Sequence, residues 1–344
     1  MLRKMVLPLA LLTLGLLLGA ACRSDAPASV QATQEPQKII FMAGFKPQAN
    51  LPFVAAYIAK EKGYFAEQGL DVEIRHASTG EHLKLLLAGD IAFTTADAGS
   101  VLRRRSDPDV PIAAFALFGQ RGQNGYVAMA SSGLSTPNDW EGKTFGYKTS
   151  VPPEYLAILE ATGTNRSKIQ EVSVGFDPRV LTEGQVDILA IFKSNEPDTI
   201  RRLGFDVVLW DPADFGIPTL GLTYIAHTDT TKQDPELVRK FLKATLKGFQ
   251  DALGDPEGAL DIVMQYAPDE NREHQQYMLA QELADAVGPV TDEHGLGWMT
   301  DEQWNALYDE FIKHGAITKP FDYKTAFDDS FLNDVYDGKT LEWP

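Results

Sequence analysis

Only one of the 344 residues is cysteine, Cys22. A single thiol closes no internal disulfide and supplies no zinc site of the paired-cysteine type. Basic residues are also scarce: 31 Lys and Arg stand against 48 Asp and Glu, a formal charge of −17. A surface this acidic repels a phosphate backbone, which excludes nucleic acid as a partner. Beyond the first two dozen residues no stretch approaches 18 apolar residues, so no later segment spans a bilayer. No internal repeat is visible. The rest of the composition is ordinary, with 44% hydrophobic and 23% charged residues, and the length leaves room for about two globular domains.

The first residues say where such domains reside. Arg3 and Lys4 precede an apolar run from Met5 to Leu18, and Gly19-Ala20-Ala21-Cys22 follows. A basic start, an apolar stretch too short to cross hydrocarbon and a small-residue cut site are the layout of a secretory signal. Cys22 stands where a bacterial lipobox puts its acylated cysteine. Gly19 holds the place usually taken by leucine, with Leu18 one position early. The expectation is a signal peptide over 1–21 and an acyl (palmitate-type) anchor on Cys22. Two or more chains hold stably, at about 0.8 kcal/mol per buried CH2. From Cys22 to Gln37 the chain is small, polar and Pro-containing, and reads as a flexible tether. Together these features predict a lipoprotein on the extracytoplasmic side of the cell membrane.

From Lys38 onward, strand and helix patterns alternate. Strands are expected at Lys38–Gly44, Asp71–His76, Asp90–Thr95 and Pro111–Phe118. A second set falls at Gly125–Ala130, Lys143–Lys148, Glu171–Phe176 and Asp187–Phe192, and Leu220–His227 returns toward the first unit. Helices are expected between them; Asn50-Leu51-Pro52 opens one that Gly63 stops. Such alternation implies an α/β fold with parallel-type sheets flanked by helices. The C-terminal part changes to helices at Asp234–Leu253, Pro256–Tyr266, Asn271–Ala286 and Thr300–His314. In the last, Trp304, Leu307, Tyr308 and Phe311 make an i, i+3, i+4, i+7 stripe that reads as core packing. Two units joined by two crossings predict one lobe of 38–125 plus 225–344 and another of 126–224, with a cleft between. Ligands then belong at the loops after strands.

Catalytic motifs fail on inspection. Gly142-Lys143-Thr144 and Gly338-Lys339-Thr340 imitate the end of a P-loop, but Pro137 and Asn333 stand where its first glycine belongs. Gly133-Leu134-Ser135-Thr136-Pro137 lacks the final glycine of a nucleophile elbow. The six histidines form no HExxH pair. No metal, no cofactor and no enzymatic activity are expected.

Two segments carry a resemblance. Phe53–Val72 (FVAAYIAKEKGYFAEQGLDV) resembles the opening of substrate-binding lipoproteins of ABC importers, in the NMT1/THI5-like (SsuA/THI5) family that also contains fungal thiamine-pyrimidine synthases. Leu134–Gly146 (LSTPNDWEGKTFG) resembles the start of that family's second lobe, and Asn195-Glu196-Pro197 matches its short acidic loop. The resemblance implies a two-lobed periplasmic-binding-protein fold (type II) and a monomer that hands a small molecule to an ABC permease, which is coupled to an ATPase subunit. The fungal synthases use a cysteine cluster and an active-site histidine. This chain has no cysteine after Cys22, which argues against synthase activity.

The resemblance implies a ligand drawn from riboflavin, thiamine-precursor pyrimidines and alkanesulfonates or taurine. A sulfonate needs an anion pocket, for which Thr149 and Ser150 before the Pro152 helix are candidates; Ser there also reads as a plain N-cap. A flat ring needs aromatic faces and polar groups at its edge; the loops offer Phe45, Phe53, Tyr126, Tyr147, Phe176, Phe192 and Phe215 for the first and Asn50, Gln120, Asn124, Asn195 and Glu196 for the second. Asn50 and Phe53 stand at the first strand–helix turn, where an N-cap and a core ring are the structural alternatives. Asp97 follows the third strand and also suits an N-cap. Gln120 lies in the Gly-rich crossing FGQRGQNGY, where a mechanical role is equally open. Glu154 reaches the cleft if its helix points inward. Asn195 and Glu196 come from the family's acidic loop, with a helix N-terminal carboxylate as the alternative for Glu196. This set favours a neutral flat ring over a sulfonate. Riboflavin is favoured because the chain as a whole resembles riboflavin-importer lipoproteins more than pyrimidine-precursor ones.

Overall fold

The computed structural model describes residues 35–344 apart from 79 and 109. The expected signal peptide, Cys22 and nearly all of the tether lie outside the described residues. The tether's last residue, Gln37, already belongs to a strand.

The strands of the two large sheets are β1 (Gln37–Ala43), β2 (Leu70–His76), β3 (Phe93–Asp97), β4 (Ile112–Leu117), β5 (Asn124–Met129), β6 (Thr144–Tyr147), β7 (Gln170–Ser173), β8 (Ile188–Phe192), β9 (Val207–Trp210) and β10 (Leu222–His227), and β11 (Tyr336–Asp337) and β12 (Thr340–Leu341) pair separately near the C-terminus. The helices are α1 (Leu51–Glu61), α2 (Tyr64–Glu67), α3 (His82–Ala88), α4 (Ala98–Arg105), α5 (Pro153–Thr162), α6 (Arg179–Thr182) and α7 (Glu196–Arg202). The C-terminal helices are α8 (Thr228–Gln233), α9 (Pro235–Gly254), α10 (Pro256–Tyr266), α11 (Arg272–Asp285), α12 (Pro289–His294), α13 (Asp301–Lys313) and α14 (Ser330–Val335). Sequence analysis missed β9, a four-residue edge strand. It also placed β3 three residues early at its start, so that Asp97 closes the strand rather than following it.

Two five-stranded sheets form, in the orders β2-β1-β3-β10-β4 and β7-β6-β8-β5-β9. In each, the first three strands are parallel. The fourth is antiparallel to both of its neighbours. Both sheets are mixed, parallel over their first three strands and reversed at the fourth, for a geometric reason. Strands β1, β3, β6 and β8 end toward the crossings, whereas β5 and β10 begin there and must run the other way. The shared order is a repeat of topology that no repeat of sequence announces.

The first sheet packs through Phe41, Phe93, Phe115 and Tyr224 onto Phe241 of α9. Helix α9 also lies against α1, so closely that a Cβ on Gly248 would come 2.2 Å from the Ala55 carbonyl oxygen. The second lobe has its own aromatic core of Tyr126, Trp140, Phe145 and Tyr155. The stripe on α13 is buried as expected.

The chain passes between the sheets twice, from β4 to β5 and from β9 to β10; the changeovers expected at 125/126 and 224/225 fall inside β5 and β10. The two crossings touch. The Gly221 amide donates to the Gly119 carbonyl at 2.8 Å, and a Cβ on either glycine would lie 2.8 Å from the other's Cα. Next to them the Gly122 amide donates to Thr219 Oγ1 at 3.0 Å. Because the obstacle is backbone, a side chain at Gly221 pushes the crossings apart. Gly221→Val is expected to lower stability by about 1–3 kcal/mol, read by urea unfolding. An unchanged midpoint would show that the crossings separate freely.

Candidate functional site

The ends of β3, β6 and β8 and the loop after β7 meet the crossings around a cleft of about 380 Å3, within the ~300–1,000 Å3 usual for small-molecule sites. A larger concavity of about 990 Å3 lies on the first lobe alone, beside the amino ends of β1 and β2. No Phe, Tyr or Trp lines that one. Open α/β sheets bind ligands at the carboxyl ends of strands, and the smaller, aromatic-walled, two-lobed cleft is the candidate site.

The first lobe contributes the start of α4 and one face of α13. Asp97 caps α4, its Oδ1 accepting from the Ser100 amide at 2.8 Å, so the N-cap alternative and the cleft position both hold. Arg103 lies 3.8 Å from that same oxygen and 5.2 Å over the ring of Phe311. Gly99 admits this packing: a Cβ there would meet the Phe311 ring at 2.6 Å. Leu307 and Phe311 thus belong to the core stripe and to the cleft at once.

The second lobe contributes Tyr126, the segment Lys148 to Glu154, and Phe176 and Phe192. Lys148 forms a buried ion pair with Glu196. Its ammonium sits 4.4 Å from the ring centre of Phe192 and 5.3 Å from that of Phe176. Phe176 and Phe192 are 67% and 39% exposed, so ring surface remains unpacked at the wall. Glu196 also accepts from the Phe192 amide at 2.8 Å.

Thr149 and Ser150 line the cleft, yet the anion pocket expected there is poorly supplied. Pro152 is the N-cap and Pro153 the first residue of α5, so neither of these positions has an N–H to offer. Glu154 follows at once, buried, with Oε1 accepting from Asn124 Nδ2 at a long 3.4 Å. Burial raises its pKa; Asp97 adds to the rise, while its own amide, Arg103 and Asn124 oppose it.

Of the residues singled out from sequence, Asp97, Tyr126, Thr149, Ser150 and Glu154 come together in the cleft. Asn50, Phe53, Gln120, Tyr147, Asn195, Glu196 and Phe215 lie outside its wall. Phe53 is core, 2% exposed. Tyr147 and Phe215 pack against the second-lobe core. Gln120 braces the crossing, donating to the Trp298 carbonyl and accepting from Gln303, both at 2.8 Å. Asn50 is an N-cap by position only: its amide donates to Glu282 Oε1 at 3.0 Å. Residues missed were Arg103, Lys148 and Phe311. A lone cation or ring on a helix or strand end carries no sequence signal of facing a cleft.

A polar seam along α11 joins the lobes. The buried Glu282 carboxylate accepts from Asn50 and the Leu51 amide of the first lobe, from Gln123 of the crossing and from Ser194 of the second lobe. Farther along, Lys193 pairs with Asp285 at 3.0 Å and with Asp211 at 2.6 Å. Tyr277 donates to the Lys193 carbonyl at 3.0 Å, and His274 meets Asp198 at 2.7 Å and Asn195 at 3.0 Å. Between α13 and α5, Lys313 pairs with Glu160 at 2.8 Å.

Among the described residues no cluster of His, Cys, Asp and Glu could hold a metal ion, and no helix is long and apolar enough to cross a membrane. Residues 50–259 match the family model described as NMT1/THI5 like; the chain belongs to that family. It is 27% identical to the riboflavin-binding protein RibY of Chloroflexus aurantiacus, over 95% of this chain and 99% of that one. It is 24% identical to a formylaminopyrimidine-binding protein of Halalkalibacterium halodurans, over 92% and 96%. In three dimensions it resembles the periplasmic aliphatic sulphonate binding protein SsuA of Escherichia coli, with TM-score 0.66, 12% identity and coverage of 90% and 95%. The fold is therefore that of a two-lobed periplasmic binding protein.

The burial of Glu196 changes what its removal does. Sequence reasoning expects Glu196→Ala to weaken ligand binding without unfolding. In the structure the substitution would also leave the part-buried Lys148 ammonium without its partner, so it is expected to destabilise by about 3 kcal/mol. Urea unfolding reads this; an unperturbed midpoint would place the pair in solvent.

Proposed function

We propose that this chain is the extracytoplasmic solute-binding lipoprotein of an ABC importer, which captures riboflavin in the interlobe cleft and delivers it unchanged to a membrane permease. The observation that carries this reading is the cleft's composition: exposed faces of Phe176 and Phe192 beside Tyr126 and Phe311, with both local cations already matched. Lys148 is paired with Glu196 and Arg103 stands by Asp97. A wall of that kind suits a flat, uncharged ring and suits a sulfonate poorly, since the helix start beside it lacks two amides and carries Glu154. Similarity to a riboflavin-binding protein across nearly the whole chain supports the choice of ring. A thiamine-precursor pyrimidine is the second reading, supported by the formylaminopyrimidine-binding relative.

Transport follows from closure. A ligand shifts an open–closed equilibrium only by its differential affinity for the two states, so residues of both lobes must touch it. Here α4 and α13 face β6, β8 and α5 across the cleft. The closed form docks on the permease, and the ATPase subunit drives release. An acyl group on Cys22 and the tether keep the protein, a monomer, near its permease.

The test is spectroscopic. The chain produced from residue 23 onward is expected to bind riboflavin one to one and turn yellow, and the recovered flavin is expected to be chemically intact. A colourless protein whose tryptophan fluorescence is quenched by a thiamine pyrimidine selects the second reading. Conversion of either compound defeats the binding role.

A further inference from the structure

Two polar atoms of the cleft residues are left without a partner. Tyr126 and Glu154 both line it. The Tyr126 hydroxyl and Glu154 Oε2 are shut off from solvent and have no hydrogen-bond partner among the described residues. Buried polar atoms are nearly always satisfied, and an orphan costs about 1–3 kcal/mol. Two on neighbouring residues of one binding wall point to a group that arrives from outside the chain.

The protonation of Glu154 decides what that group is. Residues from each surrounding element bear on it: Asp97 and Arg103 at α4, Asn124 and Tyr126 from β5, Tyr155 from α5 itself, and Lys148, already matched by Glu196. From α13 the facing residues are the uncharged Leu307 and Phe311. Burial is the largest influence on the carboxylate and raises its pKa, with Asp97 adding to the rise and Arg103 opposing it. When protonated, Glu154 keeps Oε1 as acceptor for Asn124 and presents Oε2–H as a donor. Burial likewise raises the Tyr126 hydroxyl, with Glu154 the next cause, so that it stays a neutral phenol able to donate or accept.

We propose that Glu154 and Tyr126 read the edge of the ligand, matching a ring carbonyl that sits next to a ring N–H, as in a cyclic imide. Glu154 Oε2–H donates to the carbonyl, and the Tyr126 oxygen accepts from the N–H. This rests on the importer reading above and deepens it. It selects uncharged heterocycles with a lactam or imide edge, and it rejects cationic rings, which need a carboxylate.

Riboflavin titrated into the full chain in detergent, followed by flavin fluorescence, tests the pair. Glu154→Ala and Tyr126→Phe are each expected to weaken binding roughly tenfold or more. Glu154→Gln, which retains a neutral donor and acceptor, is expected to recover binding to within about threefold of the native chain. The native affinity is expected to fall as pH rises and Glu154 ionises, while the Gln variant, which shares every histidine of the seam, does not follow. Thermal unfolding checks that each variant is folded. If Glu154→Gln binds as weakly as Glu154→Ala, or if native binding tightens with pH, the carboxylate is required and the proposal is overturned. It is also overturned if Glu154→Ala binds like the native chain. A native chain that ignores riboflavin at millimolar concentration instead sinks the importer reading, and the proposal with it.

Discussion

The contact of Gly119 with Gly221 is the constraint on which the cleft depends. Two backbones at van der Waals distance, tied by an amide–carbonyl bond, leave no room between the crossings for a side chain. Because the crossings are short and adjacent, β3 and β4 end where β5 begins, and β10 begins where the second lobe hands over. That geometry turns the carboxyl ends of both parallel sets toward each other. It explains at once why the fourth strand of each sheet is antiparallel and why α4 and α5 aim their starts at a common volume. A wider joint would place the same residues on two unrelated surfaces.

The seam along α11 works with this joint. Glu282 collects donors from both lobes and from the crossing itself, so it is the centre of the polar contacts that join the lobes. Apolar burial is non-directional and would tolerate sliding. A carboxylate with four oriented donors specifies one relative placement, and each donor left unmade on separation has water to meet it on the exposed side. Buried polar networks of this kind give a defined geometry at modest net stability. If the lobes part and rejoin, as the proposed transport role requires, such a seam is a better glue than a core.

Much of the fold was legible because the signals were local. Pro52 and Gly63 bracket α1, the Asp97 cap marks α4, and the periodic apolar residues of α13 mark its buried face. What was not legible depended on partners distant in the chain. Asn50 looks like a cap, but Glu282, 232 residues later, takes its amide. Glu196 looks like a ligand-reading acid until Lys148 is seen beside it. Val207–Trp210 has the apolar, β-branched character of a strand, yet four residues on an edge carry too little pattern to separate from a loop. Asp97 and Glu154 reached the cleft because both stand at a helix start, where position alone carries information.

The charge of the whole chain and the charge of the cleft point in different directions, and the difference bears on specificity. At −17 the body repels anions in general, and a sulfonate binder of this composition would need a local cation strong enough to overcome that field. The two cations at the cleft do not provide it. Lys148 is held against Phe176 and Phe192 by Glu196, where it braces the aromatic wall, and Arg103 is drawn toward Asp97 over Phe311. Each cation is used to orient rings. With Glu154 shielded from water, the wall facing a ligand is aromatic and sparsely polar. On the proposal that Tyr126 and Glu154 read the ligand's edge, discrimination comes from these two groups, because a ligand that pairs them gains hydrogen bonds that one leaving them unpaired does not.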